Sequence, residues 1–461
     1  MIGLSISRRE STTFDLTCHI CLLCLRSVYD KASMNTAPWG PTARDKKKWT
    51  PALQILTPRT FDFVSLMRFA RTVNRVSARL AAPIHTLPRE ILAYVFELVT
   101  FAVSPDELSF LRGSQQKLPF HPNSVTVPTK LCAVNRHWRY VGLTTPRLWS
   151  SIVVSINDVI ICDYGSGHPD SGLDLESFAC FLSRSRNSPI DILIDGRDPE
   201  CDFSDLCDDG DLAEGPSAYD HPFRPEFMKQ TLDILFHHLS RWRSLVILTD
   251  TWAPMHAAIY RLSTRAGFHC ATGGASCLET LTLMHCNEYI SQSDIFLPRE
   301  LKEPISTPFA ALLGHPYDSF SAAPRSLPRL QSVSLLGVHV NWADFSSFVS
   351  GTHGGLSGGI HILELAYHCY EVRPSVVDFC KILEGCPDLR SLSLKLSGPQ
   401  GVEEVSERRS VPLPLLESLH LQYDSVENAA RTLSLIRCPK LQSFVVEDIA
   451  QADRLIMEAS C

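Results

Sequence analysis

The chain reads as mixed α/β in two unequal parts: a small all-helical domain, then an irregular solenoid of strand-and-helix coils sharing a parallel sheet. Three observations predict this. Apolar residues recur at helical spacing around residues 87–103 and 131–141. Six later segments share a short strand close to Leu-x-x-Leu-x-Leu. Those segments return at intervals too regular for unrelated strands.

The bulk properties exclude several classes. Of 461 residues, 44% are apolar and 20% charged, as in a globular protein, and the net charge of −7 gives no basic field for nucleic acid or an anionic membrane. No apolar run approaches the roughly 18–20 residues of a spanning helix. "LTCHICLLCL" imitates a signal-peptide core, but Glu10 and Asp15 precede it and no small-residue cleavage site follows, so no secretion is expected. The 16 cysteines are scattered through periodic apolar segments. They read as reduced, core-filling thiols of a cytoplasmic or nuclear protein.

Residues 1–60 lack periodicity and read as a disordered tail. Residues 61–82 form a linker helix, with Leu66, Phe69, Val73, Val76 and Leu80 on one face and Arg68, Arg71, Arg75 and Arg79 on the other. The basic face reads as a solvated face of a packed helix rather than a membrane-surface helix.

Residues 83–155 make the helical domain, carrying a turn-rich insert at 104–128. "LPREILAYVFELV" (87–99) opens with Thr86 as N-cap, Pro88 in the first turn and Glu90 at the positive end of the dipole. Ile91, Val95, Leu98 and Ala102 form one apolar stripe, and Leu92, Phe96, Val99 and Val103 form a second beside it. Only Glu90, Ala93, Glu97 and Thr100 are left for water. One core needs a stripe of about 100°, and this arc is about twice that. A second helix over "PTKLCAVNRHWRYVGL" has one stripe, Leu131, Val134, Trp138 and Val141. It is expected to cover one side of the first helix, with Leu148 and Trp149 closing the end. The stripe of Leu92, Phe96 and Val99 is then left for another protein or for the solenoid.

Residues 156–461 form the solenoid. Leu278, Leu330, Ile360, Leu389, Leu416 and Leu441 open the six strand segments, 52, 30, 29, 27 and 25 residues apart. "RWRSLVILTD" and "SPIDILIDG" read as weaker, earlier copies, and "TTPRLWSSIVVSI" runs from a turn into a β-branched strand. This is a leucine-rich-repeat signature. Alternate strand residues face opposite ways, so Leu281 and Leu283 point inward, and stacked coils bury what one coil cannot. "PSVVDFCKILEGCP" is an intervening helix through Val376, Phe379 and Leu383, stopping at Gly385. The usual Asn or Cys three places after the last strand leucine appears cleanly only as Cys286.

Candidate chemistry is thin. The acidic loop 198–220 fails as a calcium loop, because Cys207 and Pro216 stand at ligand positions. Cys18, Cys21 and Cys24 with His19 lack the second ligand pair of a zinc knuckle. "GTHGGLSGG" precedes a strand rather than joining a strand to a helix, so it reads as a connection. His237, His238 and His420 have no evident ligand set. No P-loop, dinucleotide fingerprint, nucleophile elbow or HExxH is present. No active site, metal or cofactor is expected, and the chain reads as non-enzymatic.

Three linked submotifs carry a family likeness: Leu-Pro-x-Glu-Ile-Leu from Leu87, Val-x-x-x-Trp-Arg from Val134, and Thr-Pro-x-Leu-Trp-Ser from Thr145. Over about 65 of 461 residues the chain resembles the F-box-like domain of fungal (basidiomycete-type) F-box proteins. Irregular leucine-rich repeats often follow in such proteins. Asn135 stands where that family usually has Cys, and the insert after Phe101 is long. The resemblance implies a substrate-recognition subunit of a cullin–RING (SCF-type) ubiquitin ligase. Leu87, Pro88, Ile91, Leu92, Val95, Phe96 and Val99 would meet the Skp-type adaptor, and Leu131 and Trp138 would brace that helix or add to the contact. The repeats would present a target protein on their concave face, at outward strand positions Thr282, Ser334, Glu364, Ser393, His420 and Val445. The alternatives are a non-catalytic scaffold whose helices pack on its own repeats, and an enzyme with its site in an insert.

Overall fold

Each of the six Leu-x-x-Leu-x-Leu segments forms a strand, and so do the three weaker segments before them. The structure is a computed structural model that describes residues 84, 87–101, 118–162, 170–199, 221–264, 274–285, 293–313, 327–351, 359–400 and 410–449. Among these the chain is mixed α/β, with nine α-helices and a nine-stranded parallel sheet. It divides into two units: Met1–Ser104 with Thr126–Leu148, and Pro105–Val125 with Trp149–Cys461. The tail, the residue 61–80 helix, the Cys18–Cys24 cluster, Cys286 and nearly all of the acidic and glycine-rich stretches lie outside the described residues.

The first unit holds α1 (Arg89–Phe101), α2 (Val127–Val134) and α3 (Arg136–Thr144). The single helix expected over 128–143 is two. Asn135 breaks it with an extended backbone, φ −160° and ψ 176°, closing α2 and capping α3 at once. Its Oδ1 accepts from Trp138 N at 2.8 Å, satisfying one of the amides that a helix start leaves without a partner. The two short helices pack closely enough that a Cβ on Gly142 would sit 2.5 Å from Cys132 Sγ. Arg139 Nε donates to Cys132 O at 3.0 Å across the same junction. α1 packs on both helices, and Arg147 pairs with Glu97 at 3.3 Å.

After Pro105–Val125 the second unit resumes at Trp149, earlier than the boundary expected after residue 155. Trp149 belongs to that unit, where its ring meets Phe181 edge-on at 4.9 Å with the Arg184 guanidinium 4.3 Å above it. The strands are β1 (Ser151–Ser155), β2 (Ile190–Gly196), β3 (Trp242–Thr249), β4 (Thr280–His285), β5 (Ser332–Leu336), β6 (Ile362–Ala366), β7 (Ser391–Lys395), β8 (Ser418–Tyr423) and β9 (Ser443–Asp448). Spatial order equals chain order, and every pairing is parallel. Parallel neighbours need a crossover, and α4 (Glu176–Arg184), α5 (Pro225–Phe236), α6 (Trp252–Ser263), α7 (Trp342–Gly351), α8 (Val376–Glu384) and α9 (Val426–Ser434) lie in those crossovers. α8 runs over the segment expected, with Ser375 Oγ accepting from Asp378 N at 3.1 Å.

Register explains the leucines. Leu245, Leu281, Val333, Leu363, Leu392 and Leu419 lie side by side in one row. All are essentially fully buried, each worth roughly 1.5–3 kcal/mol of burial. A second row two residues along, including Leu283, Leu335, Leu365 and Leu394, repeats it. On β9 the same rows end in Phe444 and Val446, which are exposed.

Candidate protein-interaction surfaces

On α1 the two apolar stripes have opposite fates. Leu92 and Phe96 are fully buried, together with Leu131 and Trp138, and they form the core of the helical unit. Leu92 and Phe96 therefore present no surface to an adaptor, contrary to the expectation for them, whereas Leu131 and Trp138 brace α1 from behind, one of the two roles expected of them. Leu87 and Val99 are half-buried. The open stripe is the other one. Ile91, Tyr94 and Leu98 are 50%, 60% and 48% exposed, and half-buried Val95 lies between them. These four sit at i, i+3, i+4 and i+7, one side of a helix. Pro88, just before α1, is exposed as well. Tyr140 and Leu143 on α3 add exposed apolar surface to the same unit, and Arg89 Nη1 donates to Tyr140 OH at 3.4 Å.

Two residues explain the swap. Thr100, placed on the water-facing strip by its hydroxyl, is buried and donates from Oγ1 to Phe96 O at 2.7 Å. It satisfies itself on its own backbone and extends the Leu92–Phe96 stripe inward. Tyr94 had no place in either stripe, yet it is the most exposed of the large hydrophobic side chains on α1.

In the sheet, the six positions expected to read a target lie in one row. Thr282, Ser334, Glu364, Ser393 and His420 are successive register partners, with Val445 beyond His420. Thr282, Glu364, Ser393 and His420 are half-buried, whereas Ser334 is buried. Side-chain pairs cross the row: Lys395 Nζ with Glu364 Oε1 at 2.9 Å, and His420 Nε2 with Glu447 Oε2 at 3.3 Å.

Sequence reasoning missed the apolar half of this face. In the same row before Thr282 stand Leu193 and Val246, and in the next row Leu248, Met284, Leu336 and Ala366. These six form one cluster, each under a tenth exposed. A signal existed: "LVIL" in β3 and "SLL" in β5 are apolar without alternation, which marks a strand covered on both faces.

A third group caps the turns that leave the strands. Asp250 accepts at Oδ2 from Asp198 N at 2.6 Å and pairs at Oδ1 with His221 Nε2, also at 2.6 Å. Burial alone would lower the His221 pKa. The hydrogen bond and charge of Asp250 outweigh it and hold that pKa above its ordinary value. His368 Nε2 donates to Val338 O at 2.9 Å while its Nδ1 faces Ser397 Oγ at 2.8 Å. His285 Nε2 donates to Asp250 O at 3.2 Å, and His339 Nε2 to Lys302 O at 2.9 Å. Burial pushes His285 and His339 down to about 4 and His368 to about 3. Asp250, His368 and Ser397 occupy the place three after the last strand leucine, or isoleucine in β3, where a regular repeat has Asn. Their chemistry is the same, a buried polar group satisfying turn backbone.

These imidazoles are packed rather than poised. His339 stacks on Trp252 at 4.7 Å, and His368 meets Trp342 edge-on at 5.3 Å. Among the described residues, no cluster of three or more His, Cys, Asp or Glu side chains has a metal-holding arrangement, and no helix is long and apolar enough to cross a membrane.

Compared with protein-family models and with curated proteins, the chain matches none. The surfaces themselves therefore carry the functional reading.

Proposed function

We propose that this chain is a non-enzymatic substrate-recognition subunit of a cullin–RING ubiquitin ligase. Its helical unit is read as an F-box-like domain that binds a Skp-type adaptor, and its sheet unit as an irregular leucine-rich-repeat solenoid that binds the target. The observation that carries this is the open apolar stripe on α1. Four residues on one helix side, three of them large and about half exposed, form a contiguous apolar surface that is costly to leave in water. The stripe starts at Ile91, within the Leu-Pro-x-Glu-Ile-Leu submotif that carries the family resemblance, and continues beyond it. The parallel sheet, in chain order with crossover helices and leucine rows in register, supports the repeat reading.

The adaptor contact is therefore assigned to Pro88, Ile91, Tyr94, Val95 and Leu98, with Leu92, Phe96, Leu131 and Trp138 as the core behind them. The target face is assigned to the row from Thr282 to His420. Co-purification with a Skp-type adaptor tests the reading. The paired variant Ile91→Asp with Leu98→Asp should abolish adaptor capture while the chain stays folded. Undiminished capture would sink it and leave a scaffold.

A further inference from the structure

The apolar half of the outward sheet face already has an occupant. Leu118 and Phe120, flanking Pro119, pack against the cluster of Leu193, Val246, Leu248, Met284, Leu336 and Ala366. We propose that this half is a docking site for a partner protein's short segment of leucine–proline–aromatic sequence, held in the free protein by this chain's own Leu118–Pro119–Phe120. The inference deepens the reading of the sheet as a target-binding face, and it rests on that reading.

Three features of the segment argue for a displaceable occupant rather than a piece of core. The residues beneath are nearly sealed from water, whereas Leu118 and Phe120 themselves are only partly buried, lying on the sheet rather than within it. Among the described strands none pairs with this segment, and Pro119 has no N–H to give. Among the described residues its contacts on the cluster are the Leu118 and Phe120 side chains, beside Val153 and Tyr367, and another chain can reproduce those two contacts side chain for side chain. The row of Leu193 and Val246 runs directly into Thr282, Ser334 and Glu364, so a partner anchored by its apolar residues would continue onto the polar half of the same face.

A tethered occupant competes at high effective concentration, so it should suppress binding of the same sequence supplied from outside. The probe is a fluorescein-labelled peptide of residues 115–123, QQKLPFHPN, titrated into the full chain by fluorescence anisotropy. The double variant Leu118→Ser with Phe120→Ser should bind it at least tenfold more tightly than the unchanged protein. A peptide with both apolar residues replaced by serine should not bind. Hydrogen exchange on the unchanged protein gives a second readout: the amides of Leu118 and Phe120 should exchange far faster than those of β3 and β4.

Equal binding by the two proteins, or exchange at Leu118 and Phe120 as slow as in β3 and β4, overturns the proposal. So does loss of cooperative unfolding in the double variant, which would make the segment a fixed part of the core. A concentration-dependent dimer of the unchanged protein, lost in the double variant, would hand the patch to a second copy and also overturn it. Neither readout involves the adaptor, so failure of adaptor binding and failure of this inference remain distinguishable.

Discussion

Phe96 and Trp138 meet with ring centroids 4.9 Å apart and planes tilted by 57°, joining α1 to α3 through two buried rings. This contact separates stability from recognition on α1. Truncating Phe96 to Ala leaves a ring-sized void and should cost about 3–5 kcal/mol. Truncating Ile91 to Ala, half in water, should change stability by about 0.5 kcal/mol or less. Urea denaturation followed by far-ultraviolet circular dichroism measures both. Equal costs would mean that the buried and open stripes have been exchanged. A Phe96 variant that loses a partner would then report unfolding, whereas an Ile91 variant reports the surface.

Asn135 carries the break between α2 and α3 on one side-chain oxygen. Asn135→Ala should cost about 0.5–2 kcal/mol, and Asn135→Asp or Asn135→Ser should recover most of it, since each restores an N-cap acceptor. A thermal melt of the three variants checks the order. If Ala is as stable as Ser, the Oδ1 bond to Trp138 N contributes nothing.

The strands were legible because their pattern has a single solution. Leucines at every second position, returning after a helix-sized interval, must face a shared core, and all six segments pair in the register that this requires. On α1 the pattern had two solutions. Both stripes are equally apolar, and helix periodicity says which residues share a side but not which side is covered. The deciding residues, Thr100 and Tyr94, carry polar atoms that disguise them: one hides its hydroxyl on its own helix, the other exposes a large ring. The break at Asn135 could have been read, since Asn three places before Trp138 is an N-cap spacing, but the apolar stripe through Leu131, Val134, Trp138 and Val141 runs straight across it. Only β4 supplied a regular residue after its strand, Cys286. The substitutes Asp250, His368 and Ser397 show no common residue type, only a common task.

Lys395 and Glu364 make the charged point of the outward sheet face. The lysine side chain is almost wholly buried and the glutamate largely so. Removing the carboxylate alone, as in Glu364→Ala, leaves an ammonium without its partner and should cost about 2–4 kcal/mol. Replacing both, Glu364→Leu with Lys395→Met, should restore most of that stability. The double variant then becomes the useful binding probe: folded, but without the charges a target would meet. Chemical denaturation of the single and double variants tests the pair, and additive losses would show that the two charges do not interact.

The three buried imidazoles set a direction for acid stability. His285, His339 and His368 have folded pKa values of about 4, about 4 and about 3, below the 6.5 of an exposed histidine, because burial penalises the charged ring. The neutral form is the one the fold holds, so their contribution is fully present above about pH 6.5. As pH falls below 6.5 the unfolded chain takes up protons that the folded chain refuses. Stability should then drop by up to roughly 1.4 kcal/mol per pH unit for each histidine, continuing towards pH 3–4. His221 runs the other way: its raised pKa, owed to Asp250, adds stability that is full below 6.5 and fades as pH rises through the folded value. Below pH 6.5 the His221 contribution is already complete and stays flat, so the three buried rings should make the slope between pH 6.5 and 4 destabilising. His368→Asn keeps a polar group near Val338 O without a titrating ring, so it should lower stability at pH 7.5 yet flatten the acid slope by about one histidine's share. Midpoints of urea unfolding at pH 7.5, 6.0 and 5.0 give both slopes, and parallel curves for the two proteins would show that His368 is not one of the groups setting acid stability.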